Sequence, residues 1–141
     1  MSALVLAALL SIAAAPVVAS PNLSAMGWEM RVLVIFGTEH DAEFAEQRRL
    51  LEAHAAGLED RDMLVVGVVG DRIEPIFGDT LPVDAATLRR QLAHDGDDFA
   101  IVLLGKDGGV KLRQDQPIAP AELFAFIDAM PVRRTEMSGE G

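Results

Sequence analysis

Thr38, Glu39, His40 and Asp41 stand together in VLVIFGTEHDAEF, directly after Gly37. A hydroxyl, an imidazole and two carboxylates within four positions are residue types that transfer protons, activate nucleophiles or bind cations. A second acidic pair, Asp97-Asp98, precedes another apolar run, with His94 nearby. Lys106, Lys111 and Arg113 form the one basic cluster of an acidic chain, and suit an anionic ligand or an acidic partner. Each set also has a plain structural reading. Thr38 and Asp41 are helix-capping residues, and charges on an edge strand prevent edge-to-edge pairing. No Asp ladder of the EF-hand kind and no paired His of zincin spacing occurs, so no metal site is assigned. Every Ser lies within the first 24 residues or at position 138, away from any candidate base, so no catalytic residue is assigned either. The candidate ligand-binding residues are therefore Thr38, His40, Asp41, Asp98, Lys106, Lys111 and Arg113.

The elements that must position these residues follow from hydropathy patterning. MRVLVIF (30–36) is a β-branched apolar run and reads as a buried strand. Thr38 is expected to cap the helix that follows, with Asp41 three positions on. Phe44, Leu51, Ala55 and Leu58 fall on one stripe of a helix of about five turns. MLVVGVV (63–69) is a second buried strand, so the first half is a βαβ unit with two parallel strands. Residues 70–82, punctuated by Gly70, Pro75, Gly78 and Pro82, read as irregular. Asp84 is expected to cap a short helix carrying Ala85, Leu88 and Leu92. FAIVLL (99–104) is a third strand, Lys106-Asp107-Gly108-Gly109 a hairpin turn, and Val110–Arg113 an edge strand with Lys111 and Arg113 outward. Pro120 opens a last helix that Pro131 ends. The order β-α-β-α-β-β-α predicts an α/β fold of thioredoxin type, a four-stranded mixed sheet flanked by helices. That topology brings Glu39, His40, Asp41, Asp97 and Asp98 to one end of the sheet.

Composition narrows the function classes. The net charge of −10, from 12 Lys plus Arg against 22 Asp plus Glu, disfavours nucleic acid as a partner. Cysteine is absent, which excludes disulfides, thiol catalysis and thiolate metal sites. Residues 3–15 are apolar except for Ser11, and Val17-Val18-Ala19 suits cleavage after Ala19. The expected organisation is a signal peptide (1–19), a linker (20–29), a domain (30–132) and a polar tail (133–141). Localisation is expected to be periplasmic or secreted, with no membrane span after cleavage.

The segments RVLVIFG (31–37), EQRRLL (46–51), GKDGGVKLR (105–113) and ELFAFIDAMPVRR (122–134) resemble a bacterial family of secreted proteins known as a domain of unknown function. The same segments are similar to the C-terminal domain of animal sushi-repeat-containing extracellular proteins. The resemblance implies a thioredoxin- or peroxiredoxin-like fold and no established reaction. Redox members of that fold class place a nucleophilic Cys just after the first strand, where the helix N-terminus lowers its pKa. Here the peroxiredoxin-like Thr-x-x-Cys spacing reads Thr38-Glu39-His40-Asp41, and the usual cis-proline position reads Asp97-Asp98-Phe99. The expectation is a non-redox binding module, with no cofactor, for a protein or small ligand outside the cytoplasm. The alternative is a hydrolytic or metal-assisted enzyme using the Thr38–Asp41 turn with Asp98.

Overall fold

The computed structural model describes residues 29–139. The expected signal peptide (1–19) and all but the last residue of the expected linker (20–29) lie outside them. The chain runs through β1 (Arg31–Phe36), α1 (Ala42–Glu52), α2 (Ala55–Asp60), β2 (Met63–Val69), β3 (Arg72–Phe77), α3 (Ala85–Gln91), β4 (Ala100–Leu104), β5 (Val110–Gln114), α4 (Pro120–Asp128) and α5 (Pro131–Met137). Five strands form one mixed sheet in the order β3-β2-β1-β4-β5. β1 is parallel to β2 and β5 is antiparallel to β4, as the sequence predicts; β1 is also antiparallel to β4.

Every residue of β1 is buried, because helices cover both faces of the sheet. Alternation along the strand divides its side chains between two cores. Val32, Val34 and Phe36 pack with Leu81, Ala85, Leu88 and Leu92 around α3. Leu33 and Ile35 pack with Phe44, Leu51, Leu58, Leu123 and Ile127 of α1, α2 and α4. The apolar runs of β1, β2 and β4 are continuous rather than alternating because both of their faces are covered.

The structure corrects the sequence reading in four places. Residues 72–77 are a fifth strand, not an irregular segment, so the sheet has five strands rather than four. Pro75 concealed it, yet an edge strand tolerates proline because one row of its backbone groups has no neighbour to bond. Gly70, at φ +62°, lies in the tight turn from β2 into β3. Second, the long helix is broken at Ala53-His54, and Ala55 is exposed. The His54 ring Nδ1 bonds the Leu50 carbonyl at 2.8 Å, where the His54 amide would bond in an unbroken helix; that amide turns to the Leu51 carbonyl instead. Third, Asp41 rather than Thr38 caps α1, accepting from the Glu43 amide at 2.9 Å. Fourth, residues 133–137 of the expected tail belong to α5, whose Arg133 is buried.

Candidate functional site

Where β1 ends, Gly37 brings the chain back over Phe44: a Cβ at position 37 would lie 3.0 Å from the Phe44 ring. That close approach sets Asp41 at the N-cap of α1, facing the end of the sheet. The opposite wall is built by the end of α3. The amide of Ala93 bonds the Arg90 carbonyl and the amide of His94 bonds the Arg89 carbonyl, with Ala93 at φ 52°. This is a Schellman helix end with alanine where glycine is usual. It turns the His94 ring onto Phe36, centroids 4.3 Å apart, and lets His94 Nε2 donate to the Asp98 carbonyl at 2.9 Å. Arg89 ties this loop to the β2–β3 turn, donating to the carbonyls of His94 and Gly96 and to that of Gly70. Arg113 reaches from β5 to the Leu92 carbonyl at the end of α3.

Between these walls lies a cleft of about 830 Å³, lined by Asp41, Glu43, Asp97, Asp98 and Asp115 together with His94, Arg113 and Gln114. Five acidic residues line it against one arginine, and the guanidinium of that arginine caps α3. Of the residues that the topology groups at this end, Asp41, Asp97 and Asp98 line the cleft and Glu39 and His40 do not; His94, Glu43 and Asp115 line it as well. Thr38 and His40 are not among the lining residues. Thr38 is half-buried and its carbonyl accepts from the Asp41 amide at 3.1 Å, His40 is exposed, and Glu39 pairs with Arg72. Among the described residues, no group of three or more His, Asp or Glu is placed to hold a metal ion.

The basic cluster is not one patch. Arg113 belongs to the cleft, whereas Lys106 lies at the other end of the sheet, bonded to Asp62 at 2.9 Å and to Glu136. Lys111 pairs with Asp107 across the hairpin at 2.8 Å. Spacing in sequence grouped them because the β4–β5 hairpin is short; the strand then carries Arg113 away from the turn.

Lys106 is part of an ionic network that was not foreseen. Arg31, 1% exposed, donates to Glu136 at 3.2 and 3.3 Å and to the Arg61 carbonyl at 2.9 Å. Arg61 makes a two-pronged contact with Asp128 at 3.0 and 2.9 Å and stacks on Phe124. Arg133 joins Asp128 at 3.1 Å to Asp60 at 2.6 Å. The Arg61 guanidinium, helped by Arg133 against a smaller effect of burial, holds the Asp128 carboxyl below its ordinary range. Burial pushes Glu136 up, but its bonds to Lys106 and Arg31 outweigh this and leave it lowered. Burial lowers Lys106, and its bonds to Glu136 and Asp62 more than reverse that. An Arg opening an apolar strand was the signal: a cation at the end of a buried run needs a carboxylate from elsewhere.

Residues 22–136 match the family described as "Domain of unknown function (DUF4174)". The chain belongs to this family. It is also 30% identical, over 135 residues, to Coiled-coil domain-containing protein 80 of Danio rerio; the match covers 82% of this chain and 16% of that much longer protein. No solved structure matches. The family segment takes in both the cleft and the ionic network as far as Glu136. Among the described residues, no helix is long and apolar enough to cross a membrane.

Proposed function

We propose that this member of the family is an exported, non-redox binding module of thioredoxin-like architecture, and that its cleft receives a basic segment of a partner protein. The observation that carries the reading is the charge of the cleft: five acidic residues line about 830 Å³, and its single arginine is engaged by a helix-end carbonyl. Acidic walls in a recess of this size attract cationic side chains, steer their approach and penalise anionic competitors. The thioredoxin-like reading rests on the arrangement β2-β1-β4-β5, with β1 parallel to β2 and the other two pairings antiparallel; β3 is an added edge. Export rests on the apolar run at residues 3–15 and Val17-Val18-Ala19. The absence of cysteine supports a non-redox role. The match to a limited part of a far longer protein is compatible with a module that also occurs as one part of a longer chain.

The hydrolytic alternative has less support, because Thr38 and His40 stand outside the lining that Asp98 shares. Titration calorimetry with a lysine- and arginine-rich peptide tests the proposal. Binding should be saturable, weaken as salt rises, and fall ~10-fold or more in Asp97→Asn/Asp98→Asn, the loss expected for two charge-assisted contacts. Equal affinity of the wild type and the double variant would refute it.

A further inference from the structure

A second recess of about 370 Å³ opens at the other end of the sheet, beneath the junction of α4 and α5. Its apolar wall includes Phe126, Met130 and Val132. Phe126 and Val132 are 38% and 57% exposed, two of the large hydrophobic side chains left open to solvent among the described residues. Its polar wall carries Arg31, Lys106 and Lys111 against a single carboxylate, Asp107, in a chain whose net charge is −10. Glu136 and Asp62, which pair with two of these cations, are not part of the lining.

The hydrogen-bonding capacity of this wall is not used up. Arg31 spends its two terminal nitrogens on Glu136 and the Arg61 carbonyl, while its Nε is the buried side-chain nitrogen without a partner among the described residues. An unmet buried donor is destabilising unless something accepts from it. Lys106 bonds two carboxylates with three N–H donors, and Lys111 bonds one. Lys106, 23% exposed, is the cation that an entering group meets before the more deeply buried Arg31.

We propose that this groove binds a medium-chain monocarboxylate, its carboxylate at Lys106 and Lys111 and its apolar body along Phe126, Met130 and Val132. The chemistry matches on both sides: spare charged donors at one end, uncovered aliphatic and aromatic surface at the other, and a volume within the range of small-ligand pockets. The site is independent of the acidic cleft and would not select the cations expected there.

Titration calorimetry with decanoate, decanol and decyltrimethylammonium, combined with sedimentation velocity, tests the assignment. Decanoate should bind saturably at one equivalent, and the alcohol and the ammonium compound at least ~10-fold more weakly, since the alcohol accepts without a negative charge and the ammonium compound has no acceptor. Val132→Glu places a carboxylate on an already exposed position, so the fold should persist while decanoate binding is lost; Lys106→Met should weaken it. Equal affinity for decanol, unchanged binding by Val132→Glu, or no saturable binding of decanoate would each overturn the proposal. So would a dimer that Val132→Glu converts to a monomer, because the groove would then be covered by a second copy of the chain.

Discussion

Two buried side chains show how single residues decide local structure. Gln47 is fully buried on α1, and its amide both donates to the Ile118 carbonyl at 3.0 Å and accepts from the Ile118 amide at 2.7 Å. It replaces a backbone partner for the irregular segment before α4. Removing it leaves two buried backbone groups unpaired, so Gln47→Ala should cost about 3 kcal/mol in chemical denaturation; a change within about 0.5 kcal/mol would show that water takes over both bonds. Gln47 was missed in the sequence because a polar residue among Glu46, Arg48 and Arg49 looks solvated. Its spacing from Phe44 and Leu51, three and four positions, was the signal that it shares their buried face. Ala93 is the converse, a residue held at φ 52° where glycine is at ease. The strained backbone costs about 1–2 kcal/mol, and glycine's extra freedom in the unfolded chain offsets about 0.4–1 of it. Ala93→Gly should therefore stabilise the fold by about 0.5 kcal/mol, and a measured loss of stability would mean that the Ala93 methyl packs usefully.

At the scale of elements, the parallel β1/β2 pair and the β4–β5 hairpin were legible because their apolar runs and the Asp107-Gly108 turn specify them locally. β3 and α5 were not, since neither is an apolar run. β3 is an edge strand of alternating charge and proline. α5 buries only Arg133, with Val132 and Met137 exposed, so charge rather than apolar burial fastens it. That fastening has a pH dependence. Asp128 and Glu136 lie below their ordinary values of 3.8 and 4.5, so their contribution is complete above those values and is lost as pH falls from them through the lowered ones. Lys106 lies above 10.5, so its contribution holds below that value and is lost as pH rises through its raised one. Amide exchange in α5, corrected for intrinsic rates, should therefore accelerate as pH falls below the ordinary carboxylate range, before the β1 and β4 amides respond. Uniform loss of protection would show that α5 is not a separately anchored element. Packing at the sheet is tighter: a Cβ on Gly67 would lie 2.7 Å from the Phe44 ring, so Gly67→Ala should destabilise by about 1–3 kcal/mol, read from thermal or urea midpoints.

For the whole molecule, the two ends of the sheet carry different electrostatics. One end holds paired charges that bind α5 to the core; the other exposes carboxylates around a cleft. The sequence pointed to the second through Asp41, Asp97 and Asp98, because strand order alone brings the end of β1 beside the start of β4. It could not show that Thr38 and His40 fall outside the cleft lining, or that Glu43 and Asp115 join it, since those depend on where α1 starts and how far β5 runs. The paired end was hidden because its members are spread from Arg31 to Glu136 and only folding assembles them. The acidic cleft is the proposed binding surface for a basic partner. Amide chemical-shift mapping during titration with a lysine- and arginine-rich peptide tests it most directly. Saturable shifts should concentrate at Asp41, Glu43, His94, Asp97–Ala100 and Gln114 and shrink at higher salt. Shifts spread evenly over the acidic surface, or centred away from these residues, would contradict it.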